Sequence, residues 1–194
     1  GRVEALFDNS ITALDEQADG VRVDLAQGGQ RAFDLVIGAD GLHSAVREIA
    51  FGPESRFERN LGYYVAAFET DGYRPRDELV YVSYGTPGRQ ISRFSLRGDR
   101  TMFLFVFLAD HLAGPEPHGL DERKRTLHTL FDAVGWEAAE ILEAMEQVDE
   151  LYFDRVSQIV MDRWSKGRIA LIGDAGACVS LLAGEGTGLA LTEA

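Results

Sequence analysis

Two carboxylates stand where a sheet would present them to a ligand. The chain reads Val36-Ile37-Gly38-Ala39-Asp40-Gly41 and, far downstream, Ile169-Ala170-Leu171-Ile172-Gly173-Asp174-Ala175. Each is a short apolar strand pattern ending in an acid among small residues. In open α/β sheets, ligands sit beyond the carboxyl ends of the strands. A carboxylate there accepts hydrogen bonds from ribose or polyol hydroxyls, and neighbouring Gly and Ala let a bulky group approach the backbone. A plainer reading is available for each acid, because Asp caps helices and dominates turns. For either one alone, the two readings weigh about equally.

Other chemistry-bearing residues group less well. His43, His111, His118 and His128 lack zinc-like spacing, so no metal site is expected. No nucleophile elbow of the form G-x-S-x-G is present. Arg97-Gly98-Asp99 spells an adhesion tripeptide but sits at a hairpin turn, where Gly-Asp is expected for backbone reasons. Cys178 reads as a small buried hydrophobe. Phe103, Phe105 and Phe107 alternate along one strand; core packing is the first reading and a substrate-pocket wall the second.

These residues need elements to hold them. Residues 3–37 read as β structure broken by turns, with Val21, Val23 and Leu25 alternating with polar residues between Asp19-Gly20 and Gly28-Gly29. Phe33 to Ile37 then reads as a strand buried on both faces, as in a parallel sheet. Tyr63–Phe68, Leu79–Tyr84, Ile91–Leu96 and Thr101–Leu108 are strand-length runs, the last two forming a tight antiparallel hairpin. Residues 120–148 switch to helical period. Leu127, Leu130, Phe131 and Val134 share one face and Ala138, Ile141, Leu142 and Met145 another, with Asp121 as the expected cap. Residues 151–160 return to β pattern. Trp164-Ser165-Lys166-Gly167 is a turn, residues 168–174 form a second buried strand, and a helix begins at Gly188. The chain stops within that helix, so it is expected to be an excised or truncated segment.

Composition bounds the function. Of 194 residues, 45% are apolar and 26% charged, which excludes disorder, collagen and coiled coil as whole-chain readings. No window approaches the roughly 18 apolar residues of a membrane span, and Gly1-Arg2-Val3-Glu4 carries no signal region. One cysteine cannot build an intramolecular disulfide framework, which fits a reducing, cytoplasmic setting. Nineteen Lys and Arg against 32 Asp and Glu give a formal charge of −13, with the cations scattered. Nucleic acid and anionic membrane are therefore not expected as partners.

Taken together, the two acids resemble a known pair of motifs. Asp40-Gly41-Leu42-His43-Ser44-Ala45-Val46-Arg47 resembles the Asp-Gly motif of FAD-dependent aromatic hydroxylases, the single-component flavoprotein monooxygenases of the para-hydroxybenzoate hydroxylase type. Gly173-Asp174-Ala175-Gly176-Ala177, with Gly184-Glu185-Gly186-Thr187-Gly188 and Glu193-Ala194, resembles their second FAD motif. The likeness spans essentially the whole chain. It implies that Asp174 bonds the ribityl chain of FAD and that the backbone N–H groups of Gly186, Thr187 and Gly188 face the flavin pyrimidine oxygen. A helix N-terminus there would stabilise the anionic edge of reduced flavin. It further implies that Arg47 steadies the Asp-Gly region near the pyrophosphate, and that Asp40 and Ser44 shape the region shared by FAD and nicotinamide nucleotide. The bland reading of Arg47 is a helix-surface salt bridge. Gly41, Gly173 and Gly184 complete the expected cofactor contacts; a flavin-contacting thiol is the second reading of Cys178, and His43 is either such a contact or simply exposed.

The implied architecture is α/β: a partial FAD-binding Rossmann-like fold made of residues 1–52 and 154–194, with residues 53–153 as an inserted substrate domain of mainly antiparallel sheet plus helices. The implied activity is hydroxylation of a small organic substrate, aromatic or polycyclic, using FAD, oxygen and NADH or NADPH. No catalytic residue can be named, because the hard chemistry belongs to the cofactor. Three departures bear on the oxygen step: Ala177 where His is frequent, Leu181 where Pro is usual, and Gly188 where Asn is frequent. They keep open a flavin-dependent reductase or dehydrogenase on the same scaffold. The family's amino-terminal Gly-x-Gly-x-x-Gly is absent, and Gly184 to Gly188 cannot replace it. The segment alone is therefore expected to bind FAD weakly or not at all, and a non-catalytic domain that has lost FAD is the third reading. The sequence names neither the substrate nor the oligomeric state.

Overall fold

A computed structural model of the chain describes residues 3–74 and 80–193. Gly1 and Arg2 of the expected unsignalled start, Leu79 of one expected strand, and Ala194 of the second motif lie outside these residues. In chain order the elements are β1 (Ile11–Glu16), β2 (Val21–Leu25), β3 (Gly29–Phe33), β4 (Val36–Gly38), α1 (Ala45–Phe51), β5 (Glu58–Asp71), β6 (Tyr81–Thr86), β7 (Arg89–Ser95) and β8 (Arg100–Leu108). There follow α2 (Gly119–Phe131), α3 (Ala138–Glu146), β9 (Tyr152–Ile159), β10 (Ser165–Lys166), β11 (Ile169–Leu171), α4 (Asp174–Ala177) and α5 (Gly186–Glu193). The chain divides into two compact units, residues 1–60 with 157–194, and residues 61–156.

In the first unit, the Val21 and Val23 alternation builds an antiparallel sheet of order β1-β2-β3. A second sheet, of order β10-β11-β4, pairs β11 with β4 in parallel, Leu171 opposite Gly38. One apolar core joins them through Val21, Val23, Val36, Val46, Ile169 and Leu171. Gly38 sets how closely α1 approaches: a Cβ there would lie 2.7 Å from Leu171 Cδ2 and 2.8 Å from Val46 Cβ. The late piece of chain is tied to the early piece by polar bonds as well. Arg168 donates to Glu16 Oε1 and to the Asp34 and Ala18 carbonyls, and Lys166 Nζ donates to Ala50 O at 2.9 Å.

Three expectations need correction here. The parallel pairing is present, but β4 is three residues long and buried on one face only. Val36 is buried, whereas Leu35 and Ile37 are each 54% exposed and Phe33 43%. The physical reason is position: β4 ends its sheet, and among the described residues α1 packs on one side only. Similarly, Trp164 to Gly167 is not all turn, because Ser165 and Lys166 form β10 and pair with β11 across Gly167. The last helix starts at Gly186, two residues before the expected start.

In the second unit, β7 and β8 form the expected hairpin within a sheet of order β6-β7-β8-β5-β9. Register aligns Ile91 with Phe105, Arg93 with Phe103, and Tyr64 with Phe107 on one face. On that face Leu127, Leu130 and Phe131 of α2 and Ile141, Leu142 and Met145 of α3 close the core. Phe103, Phe105 and Phe107 are fully buried in it, so core packing is their role. Asp121 is not the cap of α2. That position falls to His118, whose backbone N–H is taken by Glu122 at 2.8 Å, and Asp121 sits inside the first turn. At the far end of α3, the buried Lys124 ammonium donates to Glu146 O and Val148 O, pairing carbonyls that a helix end leaves open.

Both unit boundaries fall inside strands, β5 and β9, eight and three residues beyond the expected 52/53 and 153/154 cuts (60 against 52, 156 against 153). Residues 53–60 stay with the first unit for a polar reason. Glu54 pairs with Arg47 at 2.7 Å, Val160 N–H donates to Phe57 O, and Ser157 Oγ donates to Glu58 Oε1 at 2.6 Å.

His128 links the two helices of the second unit. Its Nδ1 lies 3.0 Å from Asp132 Oδ1 and its Nε2 2.9 Å from Glu146 Oε1. Burial works against protonation, but the two carboxylates outweigh it together and raise the imidazole pKa. A raised folded pKa stabilises the protein below the unfolded value near 6.5 and loses that contribution as pH climbs through the folded value. His128→Gln is therefore expected to flatten the fall in melting temperature between about pH 6 and about pH 9. The effect is small, under about 1 kcal/mol, because the ion pairs are solvated. Thermal melts of both proteins across that range measure it; parallel curves would contradict it.

Candidate functional site

The parallel pairing of β4 and β11 delivers both strand ends to the same side of the first unit. Ile172 N–H donates to Gly38 O at 3.0 Å, so Ala39-Asp40-Gly41 and Ile172-Gly173-Asp174 leave the sheet side by side. Facing them is the start of α5. Together they line an open cavity of about 390 Å³ bounded by Ala39, Gly41, Ile172, Gly173, Asp174, Gly186, Thr187 and Ala190. Gly173 has φ +57° and ψ −145°, a conformation that only glycine adopts at low cost. A Cβ on it would sit 3.3 Å from Ala190 Cβ. The close approach of α5 thus depends on Gly173.

The two strand-end acids have different surroundings. Asp40 accepts from Ser44 Oγ at 2.5 Å and from Val46 N–H at 3.1 Å. Ser44 in turn caps α1, its Oγ accepting Arg47 N–H at 2.9 Å. The Arg47 side chain is fully buried. It donates from Nη1 to Ala175 O at 2.9 Å, and from Nη2 to Leu42 O at 2.5 Å and Glu54 Oε2 at 2.7 Å. Glu54 also reaches His43 Nδ1 at 3.0 Å. Asp40, Ser44 and Arg47 therefore form a brace that fastens α1 to the start of α4. Only Ala39 and Gly41 of that stretch line the cavity, and Arg47 is neither a surface salt bridge nor exposed to a ligand in the cavity.

Asp174 is exposed and lines the cavity as the first residue of α4. Gly186 and Thr187 open α5, where the first N–H groups of a helix have no intrahelical acceptor. Gly184 is left-handed (φ +67°) and ends the short 3₁₀ turn of Leu181–Ala183; it and Gly188 stand outside the cavity lining. Cys178 is buried, its thiol 3.9 Å from Ser157 O. Burial first, then the negative charge of Asp174, raises its pKa, so the thiol stays protonated.

Sequence reasoning missed Ala39, Ile172 and Ala190 as cavity walls and Glu54 as the partner of Arg47. The first two were signalled by adjacency to the acids. Ala190 lies one helical turn beyond Gly186 and Thr187, on the same face. Nothing in the local sequence marks Glu54. Among the described residues no three His, Cys, Asp or Glu side chains are grouped to hold a metal. No helix among them is long and apolar enough to cross a membrane.

Chemically, the cavity offers one acceptor carboxylate, helix-start N–H donors and a glycine-lined floor. That set suits a ligand carrying hydroxyls on one part and a carbonyl-bearing ring on another. Comparison with known proteins agrees. Residues 1–194 match the family described as FAD binding domain. A flavin-dependent monooxygenase of Legionella longbeachae is 34% identical over 202 residues, covering 99% of this chain and 49% of the relative. Tetracycline destructase Tet(55) superposes with a TM-score of 0.79 at 33% identity, over 95% of this chain and 48% of that one. Klebsiella pneumoniae HpxO, solved with FAD and uric acid, gives 0.72 at 26% identity, over 93% and 46%. The chain spans about half the length of these relatives.

Proposed function

The chain belongs to the FAD-binding domain family of aromatic-hydroxylase-type flavoproteins, and from that premise we propose an FAD-dependent monooxygenase that hydroxylates a small aromatic or polycyclic substrate with NADH or NADPH and oxygen. The observation that carries the proposal is the cavity where two parallel strands end beside a helix N-terminus, with Asp174 exposed at its edge. The residues fit FAD. Asp174 would accept from ribityl hydroxyls, and the N–H groups of Gly186 and Thr187 would meet the flavin's pyrimidine oxygen. Gly41 and Gly173 leave room for the ring system. Bound FAD would supply the redox chemistry, taking electrons from the nicotinamide and activating oxygen. The chain's own residues position and shield: the brace of Asp40, Ser44 and Arg47 holds the loop that carries Gly41. The helix dipole of α5 favours negative charge on the ring edge that it faces.

A second reading, a flavin-dependent reductase or dehydrogenase, draws on Leu181, which is 54% exposed where the resemblance leads one to expect Pro. The test is the visible spectrum of the protein at its full natural length, after mixing with FAD and removing the excess. A retained flavin band, with oxygen uptake that depends on nicotinamide and is stimulated by substrate, is the expected result. A flavin band without coupled oxygen uptake would favour the reductase. A colourless folded protein would overturn both.

A further inference from the structure

An open cavity of about 560 Å³ lies in the second unit, between residues 111–118 and one face of α2. It shares no residue with the cavity at the strand ends and is larger than it. Its size falls within the roughly 300–1,000 Å³ of small-molecule sites. Leu112, Leu130, Pro115 and Pro117 are its apolar walls. Leu130 is buried, and Leu112 packs against the core beneath the helices. The two prolines fix φ in the facing segment and stiffen that wall. Glu122, Arg125, Thr126 and Thr129 supply the polar side; at spacings of three and four they share one face of α2.

The polar groups differ in what they have left to offer. Glu116 Oε2 already accepts from Tyr64 Oη at 3.1 Å and from Arg155 Nε at 2.7 Å. Glu122 Oε2 takes the His118 N–H. The Thr126 and Thr129 hydroxyls donate to Glu122 O and Arg125 O, one turn back. Arg89 Nε donates to His111 Nδ1 at 3.2 Å, so that nitrogen is the acceptor and Nε2 carries the ring proton. Among the described residues, the Arg125 guanidinium has neither an ion pair nor a hydrogen bond. A guanidinium fork matches a carboxylate or a phosphate. Glu116 and Glu122 decide between them, because two carboxylates in the same lining repel a dianion more than a monoanion. The leucines and prolines suit a hydrocarbon body. We propose that this cavity is a second small-molecule site that binds an organic monocarboxylate, its carboxylate on Arg125 and its apolar body against Leu112 and Leu130.

Calorimetric titration of the protein at its full natural length with sodium 2-naphthoate and, separately, with neutral 2-naphthamide tests this. The two probes share a ring body and differ in charge. With about 13 non-hydrogen atoms, naphthoate is expected to bind with a Kd of about 1 mM or below. Naphthamide should bind about fivefold more weakly, or weaker still. Arg125→Gln removes the charge and should weaken naphthoate binding about fivefold or more. The same variant should melt within about two degrees of wild type, because the Arg125 side chain is exposed. No saturable heat with naphthoate overturns the inference. Equal affinity for the two probes overturns the carboxylate assignment. Equal naphthoate affinity of wild type and Arg125→Gln puts the binding elsewhere and overturns the site.

Discussion

Arg47→Ala is expected to leave the protein unfolded, or nearly so, at ordinary temperature. The guanidinium is wholly buried and serves three acceptors from three parts of the first unit: the Leu42 carbonyl before α1, Glu54 after it, and the Ala175 carbonyl in α4, 128 residues away. Removing it strands two carbonyls and a partly buried carboxylate. Breaking a buried pair from one side costs about 3–5 kcal/mol, against a total of about 5–15 kcal/mol for a typical domain. Arg47→Lys should fall between, because a single ammonium cannot span a forked set of acceptors. Urea midpoints for the three proteins measure the series. Near-native stability of Arg47→Ala, with flavin binding lost instead, would return Arg47 to the cofactor role that the resemblance implied.

The contrast between what the sequence shows and what it hides has a physical origin. Periodic apolar residues declare themselves because burial repeats along one element: Val21 and Val23, Ile141, Leu142 and Met145, and the alternating Phe103, Phe105 and Phe107 all occupy the core. What stays hidden depends on residues distant in the chain. Nothing near Arg47 says that its partners are Glu54 and a carbonyl at 175. Nothing near Asp121 says that Glu122 will serve the helix start instead. The exposed Leu35 and Ile37 fail the two-sided expectation because the count of buried faces belongs to the sheet as a whole. The site was legible to a similar depth. Both strand-end acids were visible, and so was the glycine-rich start of α5. Which acid is taken up by a helix start and which faces the cavity was not, since only the fold of the loop after β4 brings Ser44 Oγ and Val46 N–H onto Asp40.

That division leads to the second large effect. Asp174→Ala is expected to weaken flavin binding about 10–100-fold, while the melting temperature of the flavin-free protein moves little. The affinity loss follows from a hydrogen bond to a charged group, worth about 1.5–3 kcal/mol, at about 1.4 kcal/mol per factor of ten. The small stability change follows from exposure: Asp174 lies at the start of a four-residue helix, where its charge adds only a few tenths of a kcal/mol. Asp174→Asn keeps one acceptor oxygen and should recover part of the loss. Asp40→Ala should do the reverse, because it takes away the acceptor of the capping Ser44 hydroxyl and of Val46 N–H at the start of α1, and so lowers stability first. Flavin titrations and melts of the variants at full natural length separate the two acids. Equal affinities for wild type and Asp174→Ala would remove Asp174 from the site. A flavin-independent drop in stability of that variant would make it a cap like Asp40. The Cys178 thiol supplies an independent check. Removing the nearby charge should lower its pKa slightly, with burial still holding it above the usual thiol range.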